Sequence, residues 1–293
     1  MVDSNLKGVG TALVTPFTNG VVDTAALSKI VNYNISQGVD FLVPLGTTGE
    51  TSTLTSKECK QVMKTVMESN DGKLPVVCGM FAKNNTQAVI DAIKEYDFDG
   101  IHSILLASPY YNKPSQAGLL AHFRTIAEIS PVPVILYNVP SRTSVNLNAE
   151  TTLALAEHPN IIAIKEASGD FNLIMSVLKH KPTDFLVLSG DDAITMPMIA
   201  CGSSGVISVI SNAFPGIFSE AVKAALQSDY QKAKSLNDKL LDVHKWLYIE
   251  GNPVGIKSAL NIMGFCSDEV RLPLVSLSEM NRKNLEFAIR GLH

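Results

Sequence analysis

The chain has 293 residues, of which 46% are apolar and 18% are charged, and its formal net charge at pH 7 is −4. This composition is typical of a globular protein with a large core, and the slight excess of acidic residues argues against nucleic acid as a partner. No apolar run is long enough to span a membrane, and no signal-peptide pattern is present, so we predict a cytoplasmic protein with no membrane partner.

Eight short apolar segments rich in β-branched residues follow one another through the first three-quarters of the chain. They are residues 10–17, 40–46, 75–80, 101–108, 133–138, 161–166, 185–190 and 205–210. Each is almost continuously hydrophobic, which is typical of parallel strands that are covered on both faces. Helix-length segments lie between them, for example 23–37 and 55–69, and the second has apolar residues at helical spacing.

Eight strand-then-helix units predict an α/β protein with the (β/α)8 TIM-barrel fold. A doubly wound open sheet is the alternative, but it would usually have fewer strands and a glycine-rich phosphate turn, and the sequence has no G-x-G-x-x-G. After about Asp229 the strand pattern stops. Three helices are predicted there, over 228–250, 253–263 and 276–292. We expect a catalytic barrel over residues 1–226 and a C-terminal helical region over 227–293.

The cysteines indicate neither a disulfide framework nor a metal site. Cys59, Cys78, Cys201 and Cys266 are widely separated and form no C-x-x-C pair, which is typical of free thiols in a reducing compartment. The six histidines show no metal-ligand spacing either. We therefore expect a protein without a bound metal.

Lys165 ends the sixth predicted strand, within the stretch IIAIKEASGD at 161–170. Because side chains alternate along a strand, we expect Lys165 to share the inner face of the barrel with Ile161 and Ala163, and Glu166 to point the other way. Catalytic groups of such barrels lie at the carboxyl ends of the strands, where an amine is partly stripped of water. Desolvation disfavours its charged form, so the sequence predicts a free amine that can form a Schiff base with a carbonyl. A lysine that reaches outward to solvent is the alternative.

Other polar groups at the same rim fit such a reaction. The turn GTTGE, which contains Thr47 and Thr48, offers backbone N–H groups and hydroxyls to a carboxylate. Tyr137, at the end of the fifth strand, is a candidate proton donor and acceptor, and the guanidinium of Arg142 suits a second carboxylate. The two acids of SGDD (189–192) are expected to point apart, so they predict no metal site.

Six motifs occur in a fixed order along the chain. They are GTTGE (46–50), SPYYNKPSQ (108–116), YNVPSRT (137–143), IKEASGD (164–170), SGDD (189–192) and GVISV (205–209). Together they resemble the dihydrodipicolinate synthases, also called 4-hydroxy-tetrahydrodipicolinate synthases, a family of class I pyruvate aldolases, and the resemblance extends over essentially the whole chain. It implies a lyase that condenses pyruvate with L-aspartate 4-semialdehyde in lysine and diaminopimelate biosynthesis, without a metal or organic cofactor.

The resemblance also implies roles for individual residues. Lys165 would form the imine with pyruvate, Thr47 and Thr48 would hold its carboxylate, and Tyr137, Thr47 and Tyr111 would relay protons. In the family this second tyrosine comes from a neighbouring subunit, and the usual assembly is a homotetramer built as a dimer of dimers.

Three further positions match the family's pocket. Arg142 would bind the carboxylate of the semialdehyde, and Gly190 and Ile207 would line the pocket through their backbone. A sialic acid lyase or a 2-keto-3-deoxy sugar acid aldolase shares the lysine, the tyrosine and the glycine turn, but Arg142 and the segment YYN (110–112) favour a short charged aldehyde. A non-catalytic binding barrel would require the loss of the lysine, the tyrosine or a threonine, and all are present.

In feedback-inhibited members of the family, L-lysine binds at the dimer interface. The corresponding positions here are Thr51, Ser52, Ser56, Cys59, Asn84, Ala88 and Tyr110. Ala88 stands where sensitive enzymes commonly carry an acidic group for the ligand's ammonium, and Cys59 stands where a histidine or glutamate is common. An unpaired ammonium in a partly buried site is costly, so we expect weak or absent inhibition by lysine.

Overall fold

Eight parallel strands form one sheet in the computed structural model, which describes residues 4–81 and 83–292. The strands are β1 (Gly8–Ala12), β2 (Phe41–Val43), β3 (Val77–Cys78), β4 (Ser103–Ala107), β5 (Val134–Asn138), β6 (Ile161–Glu166), β7 (Leu186–Ser189) and β8 (Gly205–Ser208). Each overlaps one of the eight predicted segments, which confirms that prediction. The expected domain ranges also include residues 1–3, 82 and 293, which lie outside the described residues.

The sheet closes on itself into a barrel. Its spatial order is β2-β1-β8-β7-β6-β5-β4-β3. Leu42 of β2 forms a parallel bridge with Val76, next to β3, and its N–H donates to the carbonyl of Pro75 at 3.0 Å. This order confirms the predicted (β/α)8 barrel and excludes the open sheet. A short antiparallel hairpin, Phe17–Thr18 with Val21–Val22, follows β1.

Helices follow the strands along the chain and cover the outside of the barrel. They are α1 (Thr24–Ser36), α2 (Ser56–Asn70), α3 (Thr86–Lys94), α4 (Gln116–Ile129), α5 (Ala149–Ala156), α6 (Phe171–His180), α7 (Thr195–Ala200) and α8 (Pro215–Leu226). Side-chain caps fix where several of them begin. Helix α2 starts at Thr55, whose hydroxyl accepts from the N–H of Glu58 while the Glu58 carboxylate accepts from the N–H of Thr55, which is a capping box.

The strands separate two apolar cores. Side chains that point into the barrel form an inner core of Leu6, Ala12, Phe41, Val43, Val77, Leu105, Ile135, Tyr137, Val139, Ala163, Leu186, Leu188 and Ile207. Side chains that point outward, such as Leu106 and Ile164, pack with the helices in a larger outer core. Gly10 makes room for the inner core, because a Cβ there would lie 2.0 Å from the ring of Phe41.

A β-bulge changes the alternation in β6. Two successive residues of β5 pair with Ile161 and Ala163, so that Ile162 is an extra residue in β6. As a result Ile161 packs in the outer core and Ala163 in the inner core. The prediction that Ile161 shares the face of Lys165 is therefore wrong, whereas the prediction for Ala163 is confirmed.

The C-terminal region consists of α9 (Tyr230–Tyr248), α10 (Val254–Ile262) and α11 (Glu279–Arg290), as the sequence predicts. Helix α9 packs against α8, and both α10 and α11 pack against α9. The division into two domains at residue 226 stays a prediction. The helices on either side of that point, α8 and α9, are in direct contact. Within the described ranges, no helix is both long and apolar enough to cross a bilayer.

Stability is expected to depend on pH through His122 of α4. The ring is only 6% exposed, its Nδ1 lies 2.8 Å from the hydroxyl of Thr86, and burial lowers the pKa of His122 from 6.5 to about 4. A histidine whose pKa is lower in the folded state stabilises the fold above its unfolded pKa, and this contribution is lost as the pH falls from about 6.5 to 4. At about 1.4 kcal/mol for each pKa unit, the loss amounts to about 3 kcal/mol.

The measurement compares urea unfolding of the wild type and His122→Gln at several pH values. The glutamine keeps a hydrogen-bond partner for Thr86 but does not titrate. We expect the free energy of unfolding of the wild type to fall relative to the variant between pH 7 and pH 4. A difference that stays constant over this range would contradict the assignment.

Candidate active site

Lys165 lies at the carboxyl end of β6 and points into the barrel mouth. Its side chain is buried, with 5% of the residue exposed, and its Nζ lies 4.4 Å from the centre of the Tyr137 ring. The pairing of β5 with β6 places these two residues side by side. No carboxylate within the described residues forms an ion pair with Lys165. A buried amine next to a phenol, without an ion-pair partner among the described residues, is suited to act as a nucleophile with a proton donor at hand.

Glu166 points away from Lys165, as alternation predicts. Its carboxylate accepts from the side-chain amide of Asn138 at 3.0 Å and from the N–H of Ser168 at 2.7 Å. Burial raises the pKa of Glu166, and the hydrogen bonds from these two residues oppose the effect. Glu166 therefore fixes the loop after β6 from the outer face.

Gly190 leaves space for the lysine side chain. A Cβ at this position would lie 2.6 Å from the Cβ of Ala167 and 3.1 Å from the Cε of Lys165. The N–H of Gly190 donates to the carbonyl of Glu166 at 2.7 Å, so the end of β7 is held close to the end of β6. Any side chain at position 190 would therefore force Ala167 to shift and would crowd the side chain of Lys165.

A cavity of about 470 Å³ opens beside the lysine. It is lined by Thr48, Tyr137, Val139, Ser141, Arg142, Lys165, Ala167, Gly190, Asp191, Ala193, Val209, His244, Lys245, Tyr248 and Asn252. Five of the predicted site residues are thus brought together, and Ile207 lies in the inner core below them. A larger depression of about 670 Å³ between α1 and α2 contains none of the predicted residues.

The turn after β2 places a hydroxyl in this cavity. Thr47–Gly49 form a single 3-10 turn, in which Thr48 is buried and Thr47 is half-buried. The hydroxyl of Thr48 accepts from the side-chain amide of Asn252 at 2.9 Å. Among the described residues no acceptor takes the hydrogen of this hydroxyl, so it can be donated to an anion. Thr47 itself does not reach the cavity lining.

Arg142 stands at the edge of the cavity, in the single helical turn Pro140–Thr143 that follows β5. Its side chain is exposed, and one Nη donates to the carbonyl of Asn252 at 3.4 Å. Four of its five N–H donors therefore have no partner among the described residues, which suits a carboxylate that enters from solvent.

The two acids of SGDD do point apart. Asp191 lines the cavity and caps a short turn, with its carboxylate accepting from the N–H of Ala193 at 3.0 Å. Asp192 is buried, and one of its oxygens accepts from the N–H groups of Val209 and Ile210 and from the hydroxyl of Tyr248. The described residues contain no cluster of three or more His, Cys, Asp or Glu side chains that could hold a metal ion. The expected lack of a metal or cofactor stays a prediction.

Known proteins share this sequence and this fold. The model of the dihydrodipicolinate synthetase family matches residues 5–291. The chain belongs to this family. The 4-hydroxy-tetrahydrodipicolinate synthase of Parabacteroides distasonis is 46% identical over 294 residues, covering all of this chain and 99% of the relative. That of Flavobacterium psychrophilum is 48% identical, covering 97% and 98% of the two chains.

A solved structure of the family agrees with the architecture. It is the chloride-inhibited dihydrodipicolinate synthase of Acinetobacter baumannii, complexed with pyruvate, which superimposes with a TM-score of 0.94 at 39% identity and covers 98% of this chain and 99% of that chain. The family membership inferred from the six motifs is thereby confirmed. The roles of the individual site residues are predictions.

Tyr111 lies apart from the cavity in this single chain. It is 89% exposed, and its φ is +71° within a tight turn in which the N–H of Asn112 donates to the carbonyl of Tyr110 at 2.9 Å. A non-glycine residue in the left-handed region is strained, and such strain is often found at functional sites. The expected delivery of Tyr111 to a neighbouring subunit requires an exposed side chain, and this one is exposed.

The residues that correspond to the family's lysine site lie on α2, on α3 and in the adjacent loops. The N–H of Tyr110 donates to the side-chain oxygen of Asn84 at 3.0 Å, and the hydroxyl of Thr51 donates to the carbonyl of Leu45 at 2.5 Å. Cys59 is buried, and burial raises the pKa of its thiol. Ser52 and Ser56 are exposed, and Ala88 is half-buried. The side-chain oxygen of Asn84 and the hydroxyl of Thr51 are thus already engaged by the chain itself.

Four residues of the cavity wall come from the C-terminal region, for which the sequence predicted no site residue. Three of them, His244, Lys245 and Tyr248, lie on α9, and Asn252 lies in the loop that follows it. The rule that places chemistry at strand ends does not indicate these residues, because they lie on or directly after a C-terminal helix. The signal that was present is the turn segment GNPVG at 251–255, directly after a long helix.

Proposed function

We propose that the chain is a 4-hydroxy-tetrahydrodipicolinate synthase, which condenses pyruvate with L-aspartate 4-semialdehyde through a Schiff base on Lys165. The observation that carries the proposal is the place of this amine. It is buried at the end of β6, 4.4 Å from the ring centre of Tyr137, in a cavity that Thr48 and Arg142 also line. The names of the relatives and the pyruvate complex of the Acinetobacter baumannii enzyme support the choice of substrates.

The first half of the reaction uses the amine and the hydroxyls. The Nζ of Lys165 attacks the keto carbon of pyruvate, and loss of water leaves an imine. The free hydroxyl hydrogen of Thr48 is donated to the pyruvate carboxylate, with Thr47 beside it on the same turn. Tyr137 supplies and removes the protons that carbinolamine formation and dehydration require. Loss of a methyl proton then converts the imine into an enamine.

The second half takes place in the outer part of the cavity. The carboxylate of the semialdehyde pairs with the unoccupied donors of Arg142, which aims the aldehyde at the enamine carbon. After this carbon–carbon bond has formed, the amino group of the product attacks the imine carbon, and the carbon–nitrogen bond to Lys165 breaks. The ring closes and the free lysine amine returns. Gly190 and Ile207 contribute shape at the base of the site.

Tyr111 completes the proton relay in this proposal, from a second copy of the chain. Its 89% exposure and its strained backbone support a role in contact with another subunit. The same contact would make the dimer the smallest active unit, within the homotetramer that the family resemblance implies. The cytoplasmic location stays a prediction.

Feedback by L-lysine is expected to be weak or absent. An ammonium group needs an acidic partner when it is partly buried, and Ala88 has none to offer. The side-chain oxygen of Asn84 already accepts from the N–H of Tyr110 and the hydroxyl of Thr51 already donates to the carbonyl of Leu45, which supports this proposal. Assays of the purified enzyme at increasing L-lysine concentration provide the measurement, and half-inhibition below the millimolar range would contradict the expectation.

The proposed Schiff base is tested by borohydride reduction. The enzyme is treated with sodium borohydride in the presence and absence of pyruvate, digested, and mapped by mass spectrometry. We expect a pyruvate-derived reduced adduct on the peptide that contains Lys165 and on no other peptide. An unmodified Lys165 in an enzyme that still turns over would overturn the proposal.

The choice within the superfamily is tested with different acceptors. L-Aspartate 4-semialdehyde is compared with N-acetylmannosamine and with short sugar aldehydes, each at saturating pyruvate. Arg142, at the cavity edge, favours the short charged aldehyde. A higher kcat/KM for N-acetylmannosamine or a sugar aldehyde would replace the proposed synthase with a lyase or aldolase of the same Schiff-base class.

A further inference from the structure

Glu50 directly follows the turn that carries Thr47 and Thr48, and its backbone is strained. Its φ of +53° lies in the left-handed region, where residues with a Cβ pay a conformational cost. The N–H of Glu50 donates to the carbonyl of Thr47 at 3.1 Å, so its position determines where the turn ends. Something must hold Glu50 in this conformation.

Lys257 of α10 holds the carboxylate of Glu50 by a buried ion pair. The Nζ of Lys257 lies 2.6 Å from one oxygen of Glu50, and the two side chains are 0% and 2% exposed. The other oxygen of Glu50 accepts from the N–H of Arg271 at 3.0 Å. The Nζ of Lys257 also lies 4.1 Å from the centre of the Phe17 ring. Both carboxylate oxygens are therefore fixed by groups of the C-terminal region.

A buried ion pair is poor evidence for a purely stabilising role. Taking two charges out of water costs several kcal/mol each, and apolar replacement of such pairs is often neutral or stabilising. Burial lowers the pKa of Lys257, and the charge of Glu50 opposes this shift. The ion pair between Lys257 and Glu50 lies directly behind the candidate substrate-binding turn Thr47–Gly49. Because stability alone does not account for the pair, we expect its role to lie at that turn.

Asn252 reaches the same turn from a second point. Its side-chain amide donates to the hydroxyl of Thr48 at 2.9 Å, and its own carbonyl accepts from Arg142 at 3.4 Å. The turn is thus held at Thr48 by Asn252 and at Glu50 by Lys257. Both of these residues come from the chain beyond α9.

We propose that Lys257 is a positioning residue for the reaction, and that its ion pair with Glu50 fixes the turn Thr47–Gly49 so that the hydroxyl of Thr48 keeps the geometry that binds the pyruvate carboxylate. This inference rests on the proposed function. The C-terminal region is then part of the active site, because it orients the carboxylate-binding turn from behind. Without the ion pair the strained backbone at Glu50 relaxes, and the hydroxyl of Thr48 loses its alignment with the carboxylate.

The experiment separates the position of the turn from the stability of the fold. Steady-state kinetics and thermal unfolding are measured for Lys257→Met, Glu50→Gln and the double variant. The KM for pyruvate is expected to rise about tenfold in each, which corresponds to about 1.4 kcal/mol of lost binding. The KM for the semialdehyde is expected to stay within about twofold, since Arg142 does not depend on the pair.

The double variant is decisive. Each single variant leaves one buried charge without a partner, and the double variant has none. Its melting temperature is therefore expected to be close to that of the wild type and above those of the single variants. The KM for pyruvate is expected to stay raised. Recovery of both quantities together, or an unchanged pyruvate KM in the folded variants, would overturn the positioning role. If Lys257→Met fails to fold, Glu50→Gln and the double variant still decide.

Arg282→Met is the matched control. Arg282 forms an ion pair with Asp268 at 2.8 Å and donates to the side-chain oxygen of Asn261 on α10 at 2.7 Å, and among the described residues it makes no hydrogen bond to the turn. We expect a lower melting temperature and an unchanged KM for pyruvate. Borohydride trapping at saturating pyruvate keeps the two proposals apart. Lack of trapping in the wild type would overturn the proposed function, whereas trapping in all variants with a uniform pyruvate KM would overturn only the role of Lys257.

Discussion

Lys165→Ala is expected to lower kcat by at least about 10³-fold and to abolish borohydride trapping of pyruvate. The amine is the only group that can bond covalently to the keto carbon in the proposed reaction, and loss of a covalent nucleophile removes the whole pathway instead of slowing one step. Binding of pyruvate itself is expected to persist, because Thr48 and its partner Asn252 are unchanged.

Replacing Lys165 with an apolar residue is expected to leave the fold intact or to stabilise it. Lys165 is 5% exposed, so the native state contains a desolvated amine with no carboxylate within ion-pairing distance among the described residues. Replacing it with the apolar Lys165→Met, of similar length, removes that cost and is expected to raise the free energy of unfolding by about 1–2 kcal/mol.

Lys165→Arg is the matched control for charge. It keeps a long basic side chain at the barrel mouth, but a guanidinium cannot form the imine, so the variant is expected to be as inactive as the alanine variant. Steady-state assays, trapping and urea unfolding of the three variants are the measurements. Activity in Lys165→Arg, or a large loss of stability in Lys165→Met, would show that the lysine serves the fold and not the chemistry.

The barrel could be predicted from the sequence because its strands are buried on both faces. The strand β5 is buried at every position, and the matching sequence PVILYN is continuously apolar up to Tyr137. The same rule failed locally in β6. A bulge depends on how two strands pair, which alternation within a single strand does not contain, so the face of Ile161 was predicted wrongly.

The candidate site was predictable only where strand ends supply it. Lys165, Tyr137 and Thr48 follow from the rule that such barrels place their chemistry at the carboxyl ends of the strands. Asn252, in the loop after α9, and Lys257, on α10, are about 200 residues away from their partners Thr48 and Glu50 in the sequence. The sequence shows a lysine, Lys257, in the apolar stretch of α10. It does not show that Glu50 is its partner, because that pairing depends on how α10 packs against the barrel.

The second large effect is expected at Asp192, which joins α9 to the barrel. Its buried carboxylate accepts from the N–H groups of Val209 at 3.1 Å and Ile210 at 2.8 Å, and from the hydroxyl of Tyr248 at 2.8 Å. Burial, together with the charge of Asp192, raises the pKa of Tyr248 well above its ordinary value, so the phenol stays a donor at any ordinary pH. Three donors thus converge on one oxygen.

Asp192→Ala is expected to lower the free energy of unfolding by about 3–5 kcal/mol. It leaves two buried backbone N–H groups and one partly buried hydroxyl without an acceptor, and each buried group costs about 1–3 kcal/mol. It also frees Val209 and Tyr248, which line the cavity, so the KM for the semialdehyde is expected to rise. Urea unfolding and steady-state kinetics are the measurements.

Two milder variants divide this effect into its parts. Asp192→Asn keeps an oxygen acceptor for the donors and loses only the charge, and Tyr248→Phe removes a single donor, so each is expected to cost about 1 kcal/mol. Equal destabilisation by alanine and asparagine would mean that the negative charge carries the effect. Near-neutrality of all three variants would mean that solvent replaces the carboxylate, and that α9 is held to the barrel by apolar packing alone.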